Sequence, residues 1–105
     1  MVIIVLPDSV TSVGKYSFSF CSSLEGVTIG NRLITLEEGT FYCCENLKEI
    51  IVPISIVSIG DLAFEECFSL SNIYYEGTKA QWKNISIGAQ NTYLTEASIH
   101  YYSPR

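Results

Sequence analysis

Three stretches decide the fold: FSFCSSLEGVTI (18–29), FYCCENLKEIIV (41–52) and FEECFSLSNIYY (64–75). Each spells F-x-x-C-x-x-L-x-x-[V/I]-x-apolar, and each starts 23 residues after the one before. A shift of 23 superposes further positions. Ile4, Val27, Ile50 and Ile73 form one column, and Leu6, Ile29, Val52 and Tyr75 the next. Val10, Leu33 and Ile56 follow, then Val13, Leu36 and Ile59, the phenylalanines 18, 41 and 64, the cysteines 21, 44 and 67, and the leucines 24, 47 and 70. A unit this short cannot bury its own apolar edge. Stacked units bury each other's, and each column becomes a ladder through one continuous core.

The end of each repeat alternates apolar and outward positions, the period-2 signature of a short half-buried strand. Equivalent strands of successive coils then pair in parallel. Pro7 and Pro53 close two of them, where a missing N–H ends a ladder at little cost, and Gly30 holds the same place in the second coil. The intervening VGKYSF, LEEGTF and IGDLAF carry no long 3.6-residue stripe and predict a tight or single-turn helical stretch with its phenylalanine inward.

This spelling, C-x-x-L-x-x-I-x-L-P with I-G-x-x-A-F downstream, resembles the BspA-like leucine-rich repeat family over about residues 4–75. The stretch SIGDLAFEECFSLSNI (58–73) is the best single match. Glu37 departs from the family's glycine, and Gly30 and Glu76 from its proline. The resemblance implies a leucine-rich-repeat solenoid, a β-rich α/β fold of right-handed 23-residue coils with short parallel strands on its concave face. It implies coils at 4–26, 27–49 and 50–72, a fourth beginning at 73, and a cap over 76–105. It also implies a surface-exposed or secreted setting in bacteria and some protozoa, with roles in adhesion or host binding.

Past Tyr75 the 23-residue register stops. In GTKAQWKNI (77–85), Thr78 and Gln81 form an S/T-x-x-E/Q capping box, and Trp82 and Ile85 share one helical face. A short helix laying Trp82 over the last coil is expected. ASIHYY (97–102) alternates, with Ile99 and Tyr101 on one side and His100 on the other, and predicts a last strand beside Ile73. The Y-x-G-T-x-x-Q-W…A-x-I-x-Y layout is similar to the cap that follows such repeats in gut-bacterial proteins. The other end has no such lid. Ile4, Leu6, Val10, Val13 and Phe18 are expected at an open edge, which calls either for upstream repeats or for self-association. MVIIVLP lacks the features of a secretion signal and reads as the start of a segment inside a longer protein, with Met1 added.

Composition narrows function by exclusion. Charged residues are 16% of the chain and the net charge is −5, so phosphate backbones are repelled, and no nucleic-acid partner is expected. No stretch is apolar for long enough to cross a bilayer as a helix. His100 is the single histidine, and no nucleophile motif accompanies it. The pairs Glu37–Glu38 and Glu65–Glu66 read as solvated loop charges, and Asn84-Ile85-Ser86 as an incidental glycosylation triplet. The laddered cysteines read as reduced core thiols, with Cys43 beside the ladder, more exposed and the first to react. No cofactor, metal site or catalytic residue is expected. What remains is a binding face. Between the buried strand positions, Val5, Thr28, Ile51, Tyr74 and His100 point outward in a column. The preceding outward position gives Gly26, Glu49 and Asn72, and Glu25 and Lys48 flank them. This face predicts a protein or glycan ligand on a host or neighbouring cell, for a module of a larger cell-surface or secreted protein. The alternative is a structural spacer.

Overall fold

In the computed structural model, which describes residues 2–102, the chain winds as a parallel β-solenoid. Met1 and positions 103–105 of the expected cap lie outside the described residues. Strands β1 (Val2–Leu6), β2 (Leu24–Ile29), β4 (Glu49–Val52), β6 (Asn72–Tyr75) and β8 (Ser98–His100) make one five-stranded sheet in that order. A second, three-stranded sheet is built from two-residue strands, β3 (Thr35–Leu36), β5 (Ser58–Ile59) and β7 (Ser86–Ile87). All pairings are parallel and like residues lie over like: Ile4, Val27, Ile50, Ile73 and Ile99 are successive partners.

The phenylalanine column is the core's spine. Phe41 is fully buried, with its ring stacked on Phe18 at 5.7 Å on one side and Phe64 at 5.5 Å on the other. The cysteines do more than fill space. The Cys44 thiol donates to the Phe18 carbonyl and the Cys67 thiol to the Phe41 carbonyl, both at 3.1 Å. Cys44 and Cys67 thus each tie their coil to the one before. Burial pushes the Cys44 thiol up to about 11 and Cys67 up to about 12, so neither offers a thiolate at neutral pH. Cys21, expected to be buried with them, is half-buried. It belongs to the first coil, where no earlier coil covers its side of the stack.

The segments expected to form a tight or single-turn helical stretch are tight turns rather than helix, with Phe41 and Phe64 inward as expected. Positions 15–20, 38–43 and 61–66 are runs of turns. Their alternate N–H groups point along the stack: Phe18 donates to Thr40 O, Phe20 to Tyr42 O, Phe41 to Ala63 O and Cys43 to Glu65 O, at 2.7–2.9 Å. A helix would have turned those donors back on its own preceding turn. Aiming them at the next coil requires left-handed backbone at two positions per repeat. One column is Tyr16, Gly39 and Leu62 (φ 56°, 65° and 63°), and the other is Phe20, Cys43 and Glu66 (φ 60°, 60° and 63°). Such residues cost roughly 1–2 kcal/mol each outside glycine, offset here by the ladder they permit. At Gly39 a Cβ would also lie 2.2 Å from the ring of the exposed Tyr16, which would have to move aside.

The chain continues its coil beyond Tyr75. Helix α1 (Lys79–Lys83) carries both hydrogen bonds of the Thr78–Gln81 capping box, and Trp82 lies edge-on to Tyr75 at 5.1 Å. The chain then rejoins both sheets: Ser58 pairs with Ser86, and Asn72 with Ser98. A four-residue helix, α2 (Thr92–Thr95), lies between, with Tyr93 against Phe68. The fourth coil receives the Leu62 N–H of the last turn segment, 61–66, at Ala89 O (3.0 Å), but no backbone carbonyl there receives the Phe64 N–H. Asn91, 3% exposed, takes it instead: its Oδ1 accepts from Phe64 N at 3.0 Å, and its Nδ2 donates to Gly60 O at 3.0 Å and Gly88 O at 3.1 Å.

At the other end β1 pairs only with β2, and Val2, Ile3 and Val5 are 48%, 51% and 62% exposed. Of the residues expected at this open edge, Ile4, Val10, Val13 and Phe18 are half-buried, whereas Leu6 is buried against the core. Leu6 pairs with Ile29 at the closing end of β1, where the chain folds over toward Pro7 and Gly30.

Candidate functional site

The outward column forms as the alternation requires. Val5 pairs with Thr28, Thr28 with Ile51, Ile51 with Tyr74, and Tyr74 with His100. Each sits between inward residues of its own strand, so the face is apolar and aromatic while the core beneath stays sealed. Tyr74 and His100 stack nearly parallel at 4.7 Å, and His100 Nε2 lies 2.9 Å from Asn72 Oδ1. That hydrogen bond fixes the imidazole plane against the tyrosine ring and uses one ring nitrogen.

Two grooves open where the strands end. One, of about 500 Å³, is lined by Ile51, Tyr74, Tyr75, Glu76, His100 and two further tyrosines, Tyr101 and Tyr102. The other, also about 500 Å³, runs past Val5, Pro7, Asp8, Thr28 and Asn31. Glu76 lines both. Its position is fixed by the backbone: Glu76 N–H donates to Val52 O, and Tyr102 N–H donates to Gly77 O, both at 2.9 Å. Gly77 is needed at this crossing, since a Cβ there would meet Gln81, the Tyr75 ring and Ile54 at 2.7–2.8 Å. Burial raises the Tyr75 phenol above its usual range, so it stays neutral and available as a hydrogen-bond donor.

The structure divides the expected surface. Glu25 and Lys48 lie at the entry end of the strands, away from Tyr74 and His100. With Val2, Ser22, Ser23 and Asn46 they line a separate concavity of about 380 Å³. There Lys48 Nζ is 3.1 Å from Glu25 Oε1, and this hydrogen bond, with the ammonium charge, holds the Glu25 carboxyl below the usual range. Glu49 and Asn72 pair directly across the sheet, on the outward face between the two ends. Sequence reasoning left out Glu76, Tyr101 and Tyr102. The signal for Tyr102 was the strand alternation itself, which puts positions 100 and 102 on one side.

Other candidates resolve as structural. Glu38 lies 3.8 Å from Lys15 and accepts the Tyr16 hydroxyl, Glu65 accepts the Glu66 N–H, and Asn84 is the C-cap of α1. Among the described residues there is no group of three His, Cys, Asp or Glu side chains placed to hold a metal, and no helix is long and apolar enough to cross a membrane.

The stacked parallel coils, the phenylalanine spine and the two sheets define a leucine-rich-repeat solenoid. A family model described as BspA type leucine rich repeat region matches residues 1–101 in six copies, and the chain belongs to that family. No curated protein matches. Among solved structures the chain is similar to a leucine rich cell surface protein from Faecalibacterium prausnitzii A2-165, with 22% identity and a TM-score of 0.47. That likeness covers 80% of this chain and 34% of the other, so the chain spans about a third of that protein's length.

Proposed function

We propose that this chain is a non-catalytic interaction module of a larger cell-surface or secreted protein. It binds a protein or glycan on a host or neighbouring cell through the outer face of its five-stranded sheet, and so serves adhesion. The supporting observation is the outward column Val5, Thr28, Ile51, Tyr74 and His100, in which Val5 and Tyr74 stay exposed on either side of the half-buried Thr28 and Ile51, over a core already complete without them. Exposed apolar area gathered at a groove, rather than scattered singly, marks an interaction surface. The surface setting follows from the family resemblance.

The test is adherence. Beads carrying the chain are offered to cultured cells and to purified matrix proteins, beside beads carrying Ile51→Asp with Tyr74→Asp. Both positions are outward, so the circular dichroism spectrum should stay unchanged while adherence is lost. Equal adherence by a folded double variant would favour the spacer reading. The open β1 edge supports a second contact, either with an upstream coil of a longer chain or with another copy, and light scattering over a range of concentrations would detect the latter.

A further inference from the structure

The charge of the two grooves says which ligand the face suits. Their lining carries two formal charges, Asp8 and Glu76, both negative, and neither Lys nor Arg. Among the described residues the ion pairs are Lys15–Glu38 and Lys48–Glu25, so the chain's described cations pair with neither groove carboxylate. Asp8 Oδ1 accepts the Asn31 N–H at 2.9 Å, a bond that leaves the carboxylate's second oxygen facing water. Beside Glu76 the groove is lined by Tyr74, with one ring face covered by His100, by Tyr101, which packs against the core, and by the exposed Tyr102. A net charge of −5 adds a long-range field of the same sign.

Resting on the reading of this face as a binding surface, we propose that its ligand is a basic, extended protein segment. Its arginine or lysine side chains lie over the Tyr102 ring and the Tyr74 face that His100 leaves uncovered, and pair with Glu76 and Asp8. A cation over a tyrosine ring is held by the ring's negative face, and a guanidinium adds bidentate pairing to a nearby carboxylate. Length fits as well. Five strands at about 4.8 Å spacing span roughly 19 Å, the reach of about six extended residues at ~3.3 Å each. Alternate side chains of such a segment face the sheet, so a basic residue at every second position meets the tyrosines and acids in turn. An anionic partner is excluded by the same two carboxylates. A neutral sugar would stack on the tyrosines but leave both carboxylates stripped of water without a countercharge.

The experiment uses the whole chain and three probes: a fluorescein-labelled hexapeptide alternating arginine and glycine, the same peptide with glutamate for arginine, and maltohexaose. Anisotropy should report binding of the basic peptide at about 20 mM salt, weakening strongly by about 200 mM as screening shortens the reach of the charges. The acidic peptide should not bind. Glu76→Gln with Asp8→Asn should weaken the basic peptide by roughly five- to tenfold and flatten its salt dependence. Tyr74→Ala should weaken it roughly tenfold while leaving the salt dependence in place. All three positions are on the surface, and the Glu76 and Asp8 changes preserve shape, so folded variants are expected. Binding of the basic peptide that ignores the Glu76 and Asp8 changes would overturn the assignment. So would maltohexaose binding that Tyr74→Ala abolishes. If no probe binds, yet Ile51→Asp with Tyr74→Asp still abolishes adherence to cells, the cationic class is overturned and the binding face stands. If adherence also persists, both readings fall.

Discussion

Asn91 offers the sharpest test of how this stack ends. Its side-chain amide takes the place of a backbone carbonyl in the fourth coil, accepting the Phe64 N–H and donating to Gly60 O and Gly88 O in a site that is 3% exposed. Asn91→Ala leaves a buried N–H without an acceptor and strips a donor from two carbonyls. A buried unsatisfied donor costs about 1–3 kcal/mol, and the lost carbonyl contacts bring the sum to about 3 kcal/mol. For a domain of this size that is a large share of a total stability of roughly 5–15 kcal/mol, and it should lower the melting temperature by on the order of 10–15 °C. Asn46 supplies the control. Its Nδ2 also donates to a backbone carbonyl, Ser22 O at 2.7 Å, but in the open, where water replaces it. Asn46→Ala should cost less than about 0.5 kcal/mol. Urea denaturation followed by far-ultraviolet circular dichroism and by Trp82 fluorescence reads both variants. Equal losses would refute the view that Asn91 completes the ladder.

Asn91→Asp extends the same test to pH. The aspartate keeps an acceptor for Phe64 but turns its second oxygen toward the carbonyls of Gly60 and Gly88. Burial and that repulsion both raise its pKa in the folded state above the unfolded value of about 3.9. The folded variant then holds a proton that the unfolded chain releases. Its stability relative to the parent is therefore highest below the unfolded value and falls as pH rises through the folded one. A gap between variant and parent that stays constant from acid to neutral pH would show that Asn91 is not enclosed as described.

Two further outcomes follow from the ladders. In native protein a thiol-specific reagent should modify the half-buried Cys21 and Cys43, and reach Cys44 and Cys67 only after denaturant is added, because burial holds those two thiols protonated; modification of Cys44 or Cys67 as fast as Cys43 would contradict it. Phe41→Ala should cost about 4 kcal/mol and Phe18→Ala about half of that, since Phe41 is fully buried between two stacked rings while Phe18 is half-buried against one. Equal costs in chemical denaturation would mean that the first coil is covered as completely as the second.

What could be read from the sequence, and what could not, has one cause. Identical spacing is legible because each coil must present the same groups at the same height to its neighbours. From Ile4 to Tyr75 nothing interrupts that demand, so strand register, outward column and phenylalanine spine all follow from a shift of 23. The fourth coil obeys the same demand with different spacing. Helix α1 delays the second sheet, so Ser58 meets Ser86 five residues later than the repeat would place it, and Asn72 meets Ser98 three residues late. A fixed-period comparison sees the register stop there, while the hydrogen bonds continue. The second sheet was equally hidden, because strands of two residues leave no room for alternation to show. Asn91 was invisible for a different reason: it stands in for the absent acceptor beyond Phe64 and so matches no column at all. The two grooves share this origin. Glu76, Tyr101 and Tyr102 come from the stretch where the repeat relaxes, so no column predicts them, while their partners Val5, Thr28, Ile51 and Tyr74 are the most regular residues in the chain. Regular coils provide a flat exposed file of side chains. The irregular last coil adds Glu76, Tyr101 and Tyr102 beside this file, and with Glu76 one of the two charges that line the grooves.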